Sequence, residues 1–320
     1  MAKRLTKAQQ QKLRIRHRIT LIVLLICVLA VGGVLGVMHN QATSLHLCSA
    51  DVYIEDLPST FDGTTVLFVS DINIRNTRDA ARCSRLFKQL AKLHPDLLLL
   101  GGDYSARTLV EVLNGVSSVT VKDEAVDFLT KLAVFDAELG KFAVLGEHDG
   151  EGEALKAAFE AADIRLLENG CVEIEKDDET LIIAGLSDDS QTLTPYSALG
   201  GHFSGNECVI AVAHNPSAYS GIMVSEAGNG GCWADLVLAG HTLGGQICAF
   251  GRTLRTMPEQ ERRTLAGWYY GDTLPLLVSQ GLGCEGTMMR LGSQSEVWLI
   301  TLRQTQVVDM TSLPKLVVSD

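Results

Sequence analysis

Residues Ala234–Gln246 read ADLVLAGHTLGGQ. The apolar run Leu236-Val237-Leu238-Ala239 stops at Gly240-His241, and Thr242-Leu243-Gly244-Gly245 follows as a flexible turn. A short apolar run that halts at glycine has the pattern of a buried strand ending in a loop. In α/β proteins the loops beyond strand ends collect site residues. A lone histidine there is more often a turn or cap residue, so the reading depends on whether other strands end alike. They do. Thr64–Ser70 (TTVLFVS) stops at Asp71-Ile72-Asn73, and Leu97–Leu100 stops at Gly101-Gly102-Asp103. Phe142–Leu145 stops at Gly146-Glu147-His148-Asp149, and Val209–Ala213 stops at His214-Asn215-Pro216. Carboxylates and imidazoles in such succession are ligands of hard-to-borderline divalent cations.

Between these runs the periodicity predicts helices over Asp79–Leu93, Ala125–Ala133 and Leu155–Ala162, and Asp51–Glu55 reads as an edge strand. Residues 105–121 read as an irregular loop over the site. Cys171–Ile174, Leu181–Leu186, Leu276–Ser279 and Val297–Leu302 complete a strand-rich second half. That alternation predicts an α/β fold with two packed sheets. A composition of 46% hydrophobic and 20% charged residues with 30 glycines fits this class.

Ile19–Met38 carries no charged side chain, and a helix of that length spans the roughly 30 Å hydrocarbon core. Seven bases and no acid precede it (Lys3, Arg4, Lys7, Lys12, Arg14, Arg16, Arg18). The expected organisation is a cytoplasmic N-terminus over residues 1–18, a transmembrane anchor over 19–39 and a polar link over 40–50. A main domain over 51–302 and a polar tail over 303–320 follow. The positive-inside bias places that domain outside the cytoplasm, on a single-pass protein of the cell membrane. A cleaved signal peptide is the alternative, but the apolar core is longer than a signal h-region and no A-x-A-like site follows. With those seven bases set aside, 20 of the 27 basic residues face 38 acidic ones, so the rest of the chain is near −18. Such a surface disfavours nucleic acid and calls for a cation near any anionic substrate. The eight cysteines form no C-x-x-C pair, and read as small buried residues with at most one bridge.

In order, the strand ends read D-x-N, G-D, G-E-H-D, H-N-P and G-H-T-L-G-G-Q. They resemble the calcineurin-like metallophosphoesterases, whose pattern is D-x-H, G-D, G-N-H-[DE], H and G-H-x-H. The likeness to the bacterial membrane-attached branch extends to Asp56-Leu57-Pro58, Pro95-Asp96-Leu97 and VSQGLG…MRLGSQSEVWLITL. It covers about residues 51–302. The resemblance implies a four-layer α-β-β-α sandwich, preceded here by one transmembrane helix, with two metal ions at the sheet edges. It implies metal ligands at Asp71, Asn73, Asp103, Glu147, His214 and His241, with Asp103 bridging. It also implies that His148 faces the leaving group as an acid and that Asp71 helps place or deprotonate the water.

Three positions depart from the pattern. Asn73 replaces a histidine, Leu243 replaces a histidine and cannot ligate, and Glu147 replaces an asparagine. The first site thus loses both imidazoles, while the second keeps Asp103, His214 and His241 and gains a carboxylate. The expectation is a divalent metal (Mn, Zn or Fe), one ion firmly bound and a second weak or absent. Two readings follow. One is a membrane-anchored phosphoesterase acting outside the cytoplasm on a phosphate ester, lipid- or wall-linked. The other is an inactive protein of the same fold that binds a phosphorylated envelope ligand or partner protein. His94, His202 and Tyr104 get only surface or packing roles.

Overall fold

The computed structural model of the chain describes residues 7–150, 153–186, 199–250, 252–270 and 274–305. It opens with the 37-residue helix α1 (Lys7–Thr43), long and apolar enough to cross a membrane. At about 1.5 Å per residue it is about 55 Å long, well beyond a hydrocarbon core. Strand β1 (Leu45–Ile54) begins two residues after the helix ends. This corrects the polar link expected over 40–50, which is helix as far as Thr43 and strand from Leu45. The physical reason is that the domain caps the helix. The Arg82 guanidinium donates to the carbonyls of Ala42 (3.2 Å) and Thr43 (3.3 Å), groups that a helix end otherwise leaves unpaired. The backbone N–H of Arg290 donates to Met38 O at 3.0 Å.

Strand β1 pairs in parallel along its whole length with β14 (Ser295–Gln304). These two begin a six-stranded sheet, continued by β2 (Thr65–Val69), β3 (Leu97–Leu100), β4 (Lys141–Ala143) and β5 (Arg165–Leu166). A second six-stranded sheet runs β12 (Gly267–Tyr270), β13 (Pro275–Val278), β9 (Leu236–Ala239), β8 (Cys208–Ala213), β7 (Glu179–Leu186) and β6 (Gly170–Lys176). A small hairpin joins β10 (Cys248–Ala249) to β11 (Arg252–Thr253). Strands β2, β3 and β4 are mutually parallel, as are β7, β8 and β9. Their C-terminal ends therefore reach the same edge.

The period-2 alternation of the strands builds the layers. Val66, Phe68, Leu97 and Leu99 point inward to meet Ile183, Ile210, Leu236 and Leu238 of the opposite sheet. Leu67, Val69, Leu98 and Leu100 point outward, against helices α2 (Thr77–Leu90), α4 (Asp123–Thr130) and α5 (Glu153–Ala161). The other sheet's outer face is covered by α6 (Ala218–Met223) and by Leu199, Phe203 and Trp233. The result is the four-layer α-β-β-α sandwich. Asn76 starts α2 by accepting from Arg78 N and Asp79 N, and His94 adopts the left-handed conformation just beyond its last turn.

Residues 105–121 are not irregular throughout. Thr108 and Glu111 form a reciprocal capping box that starts α3 (Leu109–Leu113), too short for its periodicity to register in sequence. The expected tail also begins later, because β14 extends to Gln304; residues 306–320 lie outside the described part. All eight cysteines are free. Phe68 is fully buried between the sheets, and Phe68→Ala should lower unfolding free energy by about 3–5 kcal/mol. Chemical denaturation of the detergent-solubilised chain monitored by circular dichroism would measure it.

Candidate metal centre

Every strand end singled out in the sequence reaches one site. Asp71, Asn73, Asp103 and His241 all have positive φ, between 51° and 69°. The chain thus turns sharply as it leaves β2, β3 and β9, and the side chains are carried back over the sheet edge. Two glycines permit the close approach. A Cβ on Gly240 would lie 1.8 Å from Ser70 Oγ and 2.4 Å from Asp71 Oδ2. One on Gly146 would lie 2.3 Å from Asp103 Oδ1.

Three overlapping groups could each hold a metal ion: Glu147–His214–His241, Asp71–Asp103–His214 and Asp103–Glu147–His148. His214 is fully buried. Its Nδ1 lies 2.7 Å from the carbonyl of Gly101, which can only accept, so that nitrogen carries the proton and Nε2 faces inward. Nε2 lies 3.4 Å from Asp103 Oδ2 without hydrogen-bond alignment. His241 is arranged alike. Its Nε2 is 3.2 Å from Glu261 Oε2, while Nδ1 stands 2.7 Å from Glu147 Oε2, again without hydrogen-bond alignment. Oxygen partners on the outer nitrogens leave the inner ones free, which is how metal-binding imidazoles are oriented.

Asp71 Oδ2 accepts from Ser70 Oγ at 2.6 Å and from the His241 N–H at 3.0 Å. Its Oδ1 and the Oδ1 of Asn73 are buried with no partner. Of the few buried side-chain polar atoms without a hydrogen bond among the described residues, four belong here: Asp71 Oδ1, Asn73 Oδ1, His214 Nε2 and His241 Nδ1. Leaving such atoms unpaired costs about 1–3 kcal/mol each, so a cation suits this donor set.

The electrostatics agree. Burial disfavours the charge of Asp103, yet His214 and His148 outweigh it and hold the carboxyl well below its usual range. Burial pushes Asp71 up, with the charge of Asp103 adding to it against the pull of His214. Burial opposes charge on His241, but the carboxylates of Glu147 and Glu261 beside its ring outweigh it and raise it to about 9. A cation entering the site therefore displaces protons.

His148 is turned inward. Its backbone N–H reaches Asp103 Oδ1 at 3.1 Å, its Nδ1 reaches Asp103 Oδ2 at 2.7 Å, and its Nε2 lies 3.7 Å from Glu147 Oε1. Burial works against its charge, but Asp103 wins and holds His148 above the usual histidine range. Leu243 is buried and offers no ligand. His94 and His202 are exposed, and Tyr104 packs edge-on against Phe159 while donating to Val144 O at 2.9 Å.

Two site residues escaped the motif reading. Glu261, on the short helix α7 (Glu259–Arg263), comes from an EQERR stretch that reads as a solvated charge run. Asp149 is the last residue of GEHD and was visible there without a role. Fully buried, it accepts from the backbone N–H groups of Asp103, Tyr104 and Gly146, all at 2.8 Å, tying two strand-end loops together. Burial and the charge of Asp103 push its carboxyl up to about 7, against the amides of Gly146 and Tyr104 and the charge of His214.

A sandwich whose strand ends bring carboxylates and imidazoles to one edge defines a metal-dependent phosphoesterase scaffold. The sequence matches the calcineurin-like phosphoesterase family over residues 64–245, and the chain belongs to that family. It is similar to a transmembrane protein with metallophosphoesterase domain from Danio rerio, 25% identical over 296 residues, covering 88% of this chain and 62% of that protein. The chain thus spans less than two thirds of that relative's length. A metallophosphoesterase of Aquifex aeolicus is 28% identical over 278 residues, covering 83% of this chain and 94% of its own length. The UDP-2,3-diacylglucosamine pyrophosphatase of Chlamydia muridarum is 27% identical over 111 residues, covering 35% of this chain and 30% of that one.

Replacing Asp149 by alanine strands three buried amides. Asp149→Ala should lower stability by roughly 3 kcal/mol or more, read as a fall in the denaturation midpoint.

Proposed function

We propose that this protein is a membrane-anchored, metal-dependent phosphoesterase working outside the cytoplasm, with one firm metal site and one degraded site. The observation that supports this most directly is the set of four inward-facing ligand atoms, buried and without partners, at the meeting point of the strand ends. Asp103, Glu147, His214 and His241 would hold the firm cation. Asp71 and Asn73, with Asp103, would form the weak site. When bound, the cation supplies Lewis acidity and lowers the pKa of a water.

The chain's own residues do the rest. Asp71 presents a carboxylate oxygen that can orient water or take a proton. His148 holds a proton, kept there by Asp103, and its Nε2 edge lies beside the half-exposed Glu147, from where the proton can pass to a departing alkoxide. A lipid- or wall-linked phosphate ester is the substrate class we favour. The apolar α1 keeps the domain at a membrane, and the Chlamydia relative is named for a diacylated substrate. A cavity of about 300 Å³ beside the Gly245–Gln246 loop adds apolar wall from Leu109, Val112 and Leu254. The seven bases before the span favour a domain facing away from the cytoplasm.

The test is metal content of the full chain, purified in detergent without chelator, beside hydrolysis of nitrophenyl phosphomonoester and phosphodiester with added Mn²⁺. We expect about one metal per chain and Mn²⁺-dependent turnover. His148→Ala should lower kcat about 100-fold or more with metal content unchanged. Absence of turnover with every cation tried would sink the enzyme reading and leave a binding module, the role that the buried Leu243 suits.

The pH profile supplies an independent check. His148 works protonated and its pKa is raised, so the rate should persist above the ordinary histidine pKa of about 6.5 and fall only at higher pH. In His148→Ala that alkaline limb should disappear.

A further inference from the structure

We propose that the cavity between α1 and α2 binds the phosphate group of an anionic lipid headgroup, in the leaflet where the anchor leaves the membrane. The cavity measures about 890 Å³ and is lined by His39 and Thr43 of α1 and by four arginines, Arg75, Arg78, Arg82 and Arg85. The chain after the anchor carries a large negative excess, so four guanidinium groups around one hollow gather positive charge against that excess.

Depth is the first argument. The apolar run ends at Met38, and residues 39–43 continue the same helix. At 1.5 Å per residue they lie roughly 2–8 Å beyond the hydrocarbon. The headgroup layer is about 5–7 Å thick on each side, so His39 and Thr43 sit within it. The helix is not free to swing away from this position. Arg82 caps its last carbonyls, the N–H of Arg290 donates to Met38 O, and His39 Nδ1 is 3.3 Å from Met288 O.

Available donors are the second argument. Arg75 is spent on Asp79 (2.8 Å) and on the carbonyl of Gly286 (2.9 Å). Arg82 is spent on α1, Leu282 O and Ser295 Oγ. Arg78 and Arg85 are exposed, seven residues apart on one face of α2, and among the described residues no side-chain hydrogen bond or ion pair engages them. A guanidinium offers a planar fork that fits two phosphate oxygens at once. The engaged pair builds the wall, and the other pair is left for the ligand.

The surroundings are apolar where lipid contact requires it. Gly286, which accepts from Arg75, also bridges to Thr108, the N-cap of α3. Leu109, Val110, Val112 and Leu113 of that helix are all exposed. A basic hollow flanked by an apolar helix and fixed to a membrane span is a surface made to rest on a charged bilayer.

The test uses the full chain in neutral detergent, titrated with phosphatidylglycerol, phosphatidylcholine or soluble glycerol 3-phosphate, with bound lipid counted by native mass spectrometry. Arg78→Gln/Arg85→Gln is the test variant. Lys12→Gln/Arg14→Gln/Arg16→Gln controls for lipid held at the opposite end of α1. One phosphatidylglycerol should be retained by the parent and by that control, and bound roughly 30-fold more weakly by Arg78→Gln/Arg85→Gln. That factor follows from about 1 kcal/mol per arginine at an anionic surface and 1.4 kcal/mol per tenfold. Arg78→Lys/Arg85→Lys should recover part of the binding. Equal retention of phosphatidylcholine, or of phosphatidylglycerol by the glutamine variant, overturns the proposal. Glycerol 3-phosphate binding as tightly as the lipid, with the same arginine dependence, would assign the site to free phosphates and also overturn it.

Discussion

Asp103 is a carboxylate with almost no access to water, at the end of a strand made only of leucine. Isolated, such a charge costs several kcal/mol to bury, and it persists only where opposite charge and hydrogen bonds meet it. Much of the site answers that requirement. His148 and His214 bring positive charge to its oxygens, and Asp149 holds the loop from which it projects. The cost of Asp103 therefore organises both sheets, since its partners come from strand ends on either side of the sandwich.

The two histidines with inward-facing nitrogens show how backbone and side chain share this work. A carbonyl on the neighbouring strand end fixes the tautomer of His214, and a carboxylate on a distant short helix fixes the orientation of His241. In each case an oxygen takes the outer nitrogen and leaves the inner one aimed at the centre. The site is thus preorganised by groups that would never touch a substrate. The same economy governs the anchor. Arg82 reads the helix end of α1 and the loop at Leu282 together, so the long apolar helix and the sandwich are joined by hydrogen bonds.

Much of this was legible in the chain. Strand ends at Asp71, Asp103, Glu147, His214 and His241 could be placed because apolar runs that stop at glycine, an acid or a histidine are local signals. The same applies to the helices carrying Phe87, Phe128 and Phe159, whose periodicity is strong. The failures have a common origin. Residues 40–50 look like a link because Asn40 and Gln41 are polar, yet a capping arginine some forty residues away keeps them helical. Helix α3 escaped because a capping box, rather than an apolar stripe, starts it.

Local pattern was enough to read the order of elements, the long apolar helix at the N-terminus and the strand ends that carry the carboxylates and imidazoles. Those depend on neighbours within a few residues, through periodicity and turn chemistry. Only the tertiary structure decided that Glu261 orients His241, that Asp149 ties two loops, and that His148 turns onto Asp103. It also decided that four arginines meet beside the foot of α1. These are contacts between groups far apart along the chain, and their geometry is set by the packing of the sheets. Three-dimensional proximity of buried charge carries energy that no local pattern records.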